Sequence, residues 1–97
     1  MNTELEAIQK YWGEHQERTN ETQISASQKL EMKQAAFSQY ITGSIKLNVL
    51  FILRLARLMG INPVNIRPSL DVIFSDLKGK RLSDKLDKTI EAFQGGK

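Results

Sequence analysis

The sequence predicts an all-α fold made of short helices around one modest core. Three observations carry this reading. Apolar residues recur at helical spacing, as in Leu5, Ile8, Tyr11, Trp12 and His15. Residues suited to cap a helix N-terminus stand before apolar runs at Thr22, Asn48 and Asn62. Glycines able to take the left-handed geometry of a helix stop follow such runs at Gly43 and Gly60.

The first helix is expected over about Glu4 to Arg18, with Thr3 and Glu6 at the spacing of a capping box. Its stripe makes Trp12 a core anchor and leaves His15 a packing or surface role. Thr22 caps a second helix of Gln23 to Leu30, and a third runs from Gln34 to Ile41 before Gly43. After the loop SIKL, Asn48 caps VLFILRLARLM, a largely buried fourth helix that stops at Gly60. Leu47 and Ile52 have hydrophobic-staple spacing across that cap.

Asn62 followed by Pro63 starts a short fifth element, with Ile61 and Ile66 repeating the staple spacing and Pro68 ending it. Ser69 is placed to cap a further segment with Leu70, Ile73, Phe74 and Leu77 on one face. Over residues 71–77 helix and short strand both remain open, because periodicity does not separate them in so few residues. KGKR at 78–81 then reads as a hinge with solvated charge. It lacks the upstream glycine and the following Ser or Thr of a phosphate-binding loop. Beyond it Leu82, Leu86, Ile90 and Phe93 form one narrow apolar line, suited to docking against a single neighbour. Asp84 and Asp87 complement the start of that helix.

Length, at 97 residues, suits one domain and leaves no room for a second, catalytic one. Hydrophobic content of 40% and charged content of 26% argue against global disorder. No apolar run approaches the ~20 residues of a membrane helix, and MNTELEAIQK lacks a signal-peptide pattern, so a cytoplasmic location is expected. With no cysteine and one histidine, neither a disulfide framework nor a thiolate or histidine-rich metal site can be assembled. No enzyme, cofactor or small-molecule substrate is expected. Acids crowd residues 1–31, whereas from Met32 to Leu70 there is none, although Lys33, Lys46, Arg54, Arg57 and Arg67 all lie there. Such a window suits a polyanionic partner. Arg54 and Arg57 share a helix face that is either ordinary surface or part of that contact.

The stretch TQISASQKLEMKQAAFSQYITG, Thr22 to Gly43, reads as a helix-turn-helix. Ala26, Leu30, Met32, Phe37 and Ile41 would pin its two helices together, leaving Gln34, Ala35, Ser38 and Gln39 outward. Glutamine amides presented from a helix match the donor and acceptor edge of adenine in the major groove.

From Thr22 through Leu70 the chain resembles the N-terminal domain of the lambda-type phage repressors, within the Xre/Cro helix-turn-helix group. TQ, KLEMKQ, ITG, LN, LARLMGI and RPSL carry the resemblance. It implies a five-helix, lambda-repressor-like DNA-binding domain over 1–68, with 69–97 an added C-terminal helical segment. It also implies a homodimer that represses transcription from a pseudo-palindromic double-stranded operator. By the same resemblance Gln34 contacts an adenine, and Ala35, Ser38 and Gln39 occupy variable base-facing positions. Gln23, Thr42 and Asn48 match phosphate-contacting positions, and Lys33 and Lys46 lie where they would reach the backbone. The family's turn usually holds glycine where this chain has Glu31, so strain is expected there. Lys33 stands where a small polar cap is usual.

The segment 70–94 is the expected dimer contact, through Leu70, Ile73, Phe74, Leu77, Leu82, Leu86, Ile90 and Phe93. The chain lacks an Ala-Gly cleavage dipeptide, so it is expected to be a Cro-like repressor or an excised DNA-binding domain. The alternative is an antitoxin-like interaction protein whose C-terminal helix docks a protein partner.

Overall fold

In the computed structural model residues 3–95 are described, and every regular element among them is helical. The helices are α1 (Thr3–Thr19), α2 (Gln23–Lys29), α3 (Gln34–Thr42), α4 (Val49–Met59), α5 (Asp71–Phe74) and α6 (Gly79–Gln94). Single 3₁₀ turns lie at Pro63–Asn65 and Pro68–Leu70. Contacts cluster into two units, Met1–Leu47 and Asn48–Lys97. Among the described residues no helix is long and apolar enough to cross a membrane.

In the first unit, α1 buries Ile8, Trp12 and His15 and leaves Leu5 and Tyr11 half-buried, so the predicted stripe is narrower than expected. Thr3 is already helical, so it does not stand ahead of the helix as the capping-box reading requires. The Trp12 ring meets Phe37 of α3 edge-on, with centroids 5.1 Å apart. Phe37 is 0% exposed. Gln9 Nε2 donates to the Ile41 carbonyl at 2.9 Å, satisfying an acceptor in the last turn of α3 that has no partner within the helix. Gly43 closes α3 at φ +88°, and a Cβ there would come within 2.7 Å of the Leu5 side chain. The positive φ favours glycine here, and any larger residue would also have to displace the end of the Leu5 side chain.

The turn between α2 and α3 has the Schellman pattern. Glu31 N–H donates to the Gln28 carbonyl at 3.1 Å and Met32 N–H to the Ser27 carbonyl at 2.9 Å. This geometry places Glu31 at φ +56°, the left-handed region where a side chain costs about 1–2 kcal/mol. The strain expected from the sequence is present.

In the second unit, Asn48 Oδ1 accepts from Phe51 N–H at 2.8 Å. α4 buries Phe51, Ile52, Leu53, Leu55, Ala56 and Met59, then stops at Gly60 with φ +71°. α6 packs against α4. Arg57 Nε donates to Asp87 Oδ1 at 2.9 Å, and the Gln94 amide, with its oxygen toward α4, accepts from the Arg54 guanidinium. The arginine face left open by the sequence is thus engaged by α6.

Several expectations for this unit are corrected. The fifth element is two 3₁₀ turns rather than one short helix, because Pro63 and Pro68 each restart the backbone. Ser69 lies inside the second of these turns and caps nothing. Residues 71–74, where the sequence leaves helix and strand open, form one helical turn ending at Ser75 with φ +39°. Asn62 holds that loop: its Oδ1 accepts from Val64 N–H, while its Nδ2 donates to the Ser75 and Leu77 carbonyls at 3.1 and 3.2 Å. KGKR is no hinge, because α6 begins at Gly79 and takes up the rest of it.

Replacing Glu31 by glycine removes the Cβ strain while keeping both turn hydrogen bonds. Glu31→Gly should raise stability by about 1 kcal/mol, less the added entropy of the unfolded chain. Urea midpoints of the two proteins check this, and a drop in midpoint would show that the Glu31 side chain is itself stabilising.

Candidate nucleic-acid interface

α3 is held by one face. Phe37 and Ile41 are buried, which turns Ala35, Ser38, Gln39 and Thr42 to the opposite side, while Gln34 leaves from the first turn. Gln34, Ala35, Gln39 and Thr42 are exposed and Ser38 is half-buried. The Gln34 and Gln39 amides make no hydrogen bond among the described residues, so each can present a donor and an acceptor outward. Thr42 Oγ1 is occupied locally, 3.4 Å from the Gln39 carbonyl and 3.3 Å from Ser44 Oγ.

Lys33 precedes α3 with extended backbone and makes no side-chain cap, as its chemistry dictates. It is exposed, as is Lys46, and neither has an ion-pair partner among the described residues. Gln23, the first residue of α2, is half-buried. Asn48 belongs to the second unit, where its amide oxygen caps α4. The structure therefore gathers Ala35, Ser38, Gln39 and Thr42 on one side of the helix, whereas Gln34, spaced i, i+3 and i+7 with Phe37 and Ile41, leaves the first turn on the side those two residues bury. Lys33 and Gln23 stand at the starts of α3 and α2.

Sequence reasoning missed what holds α2 against α1. His15 is 5% exposed and stacks on Trp12 at 5.7 Å. Its Nε2 lies 3.2 Å from Glu21 Oε1, which assigns the proton to Nε2, and Nδ1 is buried with no partner. The same Oε1 accepts from Lys29 Nζ at 3.2 Å, and Ser25 Oγ donates to Glu21 Oε2. Gln16 Nε2 reaches the Glu21 carbonyl at 3.2 Å, and Thr19 Oγ1 accepts from Glu21 N–H at 3.2 Å. One carboxylate thus joins the end of α1 to two turns of α2. The only sequence signal was the Glu21, Ser25, Lys29 spacing of one helix face. The approach of His15 depends on the reversal at Asn20, where φ is +60°.

The expected dimer residues are placed differently from their prediction. Leu70, Phe74, Leu82 and Leu86 are buried within the chain, and Leu77 and Ile90 are half-buried. Ile73 at 37% and Phe93 at 52% remain exposed, beside Val72 at 86%. The four buried residues belong to the core, so the apolar surface offered to a second copy reduces to the exposed ones.

Comparison with protein-family models, with curated proteins and with solved structures finds no match for this chain.

The Ser25 hydrogen bond, followed by contacts with His15 and Lys29, holds the Glu21 carboxyl below its ordinary value, against an opposing effect of burial. A carboxylate with a lowered folded-state pKa stabilises the fold above its unfolded value. That contribution is lost as pH falls through the folded one. Wild type should therefore be more stable than Glu21→Gln at pH 7, and the gap should close as pH drops below about 4.5. Unfolding midpoints along a pH series test this, and a gap constant with pH would contradict it.

Proposed function

We propose that the chain is a sequence-specific DNA-binding transcriptional repressor of the lambda-repressor-like, Xre/Cro helix-turn-helix kind, acting as a homodimer on a pseudo-palindromic operator. The observation that carries this reading is the α2–α3 pair, whose second helix is pinned by Phe37 and offers two unengaged glutamine amides to solvent. At nine residues, α3 is about 13 Å long. With its side chains an α-helix is about 10–12 Å across, which fits a major groove about 12 Å wide.

In this reading Gln34 makes a bidentate contact with an adenine, and Gln39, about 140° further round the helix, makes a separate amide contact. Ala35 supplies a methyl for thymine, and Ser38 reads either partner. Gln23, Lys33, Thr42, Lys46 and Asn48 contact phosphates and fix register without specifying sequence. Two copies place their reading helices about 34 Å apart along the duplex, one helical turn. Ile73 and Phe93, with Val72 beside them, are the exposed large apolar side chains of the C-terminal half left to meet a second copy.

Selection from a random duplex pool should enrich a two-fold-symmetric site; no enrichment would overturn the reading. On the enriched site Gln34→Ala should cost ~1–3 kcal/mol and relax one base position in each half-site. Lys46→Ala should weaken all duplexes alike and lower the salt slope by about 1. Filter binding over a salt series measures both, and equal loss on specific and random DNA for Gln34→Ala would remove the base-reading role.

A further inference from the structure

The charge of this protein does not sit where its reading helix sits. The first unit carries five Lys and Arg against six Asp and Glu, and the second carries nine against five. The unit that contains α3 is thus slightly acidic, and the positive balance of the chain comes from the other.

Within the second unit the positive charge is ordered. Arg81, Lys85 and Lys88 of α6 recur at i, i+4 and i+7, and Lys78 precedes them by three residues, so the four share one side of the helix. All four are exposed, and none has an ion-pair partner among the described residues. The acids of the same helix do not neutralise them. Asp87 is taken by Arg57 at 2.9 Å. Asp84 lies beside the row without pairing to it. Arg81, Asp84, Lys85 and Lys88 line one shallow depression together with Leu77. The opposite side of α6 buries Leu82 and Leu86, so packing fixes which way the basic row faces.

An unpaired row of like charges on a packed helix is repulsive in isolation, which a polyanion relieves. From Arg81 to Lys88 the row extends about 10 Å along the helix axis. Duplex DNA presents about six phosphate charges over that length. We propose that the Arg81, Lys85 and Lys88 row of α6 is a docking surface for the phosphate backbone of duplex DNA. It adds to the phosphate contacts proposed for Lys33 and Lys46 of the first unit. This rests on the DNA-binding reading above, but concerns a separate surface with a separate outcome.

The experiment compares the full chain with an Arg81→Gln, Lys85→Gln, Lys88→Gln variant on a random-sequence duplex and on the selected operator, each over a salt series. Loss of three phosphate contacts should lower the slope of log affinity against log salt by about 2.7, with the ranking of sequences unchanged. Asp84→Asn, which removes the acid beside the row and leaves every cation in place, should tighten binding to both duplexes. An unchanged slope in the triple variant, with circular dichroism matching wild type, would overturn the α6 surface and leave the α3 reading standing. Loss of sequence ranking in the triple variant would overturn it too, by making these side chains base readers. Failure of wild type to bind any duplex would overturn both.

Discussion

The edge-to-face contact of Trp12 with Phe37 is the constraint on which the candidate interface depends. A helix of nine residues is too short to persist alone in water, so α3 owes its existence to tertiary packing. Phe37 is the side chain through which that packing acts, fully buried and 5.1 Å from the Trp12 ring. Two further contacts keep α3 from rotating about this point. Gln9 holds the Ile41 carbonyl, and Leu5 rests where a Cβ on residue 43 would otherwise lie. Fixing the inward face of so short a helix fixes its outward face as well. The orientation of Gln34 and Gln39 is therefore a consequence of core packing around α1.

The turn and the α1–α2 junction hold the other end of the same frame. The Schellman hydrogen bonds terminate α2 by engaging the Ser27 and Gln28 carbonyls, and they force Glu31 into a conformation that glycine would take without strain. The fold tolerates that cost because Ala26 and Leu30 are buried beneath the turn. At the junction, Glu21 gathers His15, Ser25 and Lys29 around one carboxylate. Polar groups with little solvent exposure have sharp distance and direction requirements, so this cluster sets the angle of α2 more narrowly than apolar contact alone would.

Charge and shape are divided between the two units. The outward face of α3 is polar and uncharged, suited to discriminating base edges. The cations lie mostly in the second unit and are suited to phosphates. Protein–DNA interfaces commonly separate these tasks, with phosphate contacts positioning and base contacts specifying.

Capping chemistry is local, and by itself the sequence determined the all-helical class and most of the helix limits. Thr22, Asn48 and Asn62 accept the backbone N–H groups their positions predict, and Gly43 and Gly60 stop α3 and α4 with positive φ. Which side of α3 is covered was legible for the same reason, since Phe37 and Ile41 stand at helical spacing and are buried. The strained turn was legible too, because a Schellman stop needs a left-handed residue whatever surrounds it. Other features required the assembled chain. Apolar spacing shows that a face is covered but not what covers it, so Leu70, Phe74, Leu82 and Leu86 read as a dimer contact from the sequence, whereas the folded chain buries them itself. His15 and Glu21 meet across a reversal at Asn20 that no periodicity encodes. The short helical turn at 71–74 lies between two breaks, at Pro68 and Ser75, where local propensity is weak and long-range packing makes the choice.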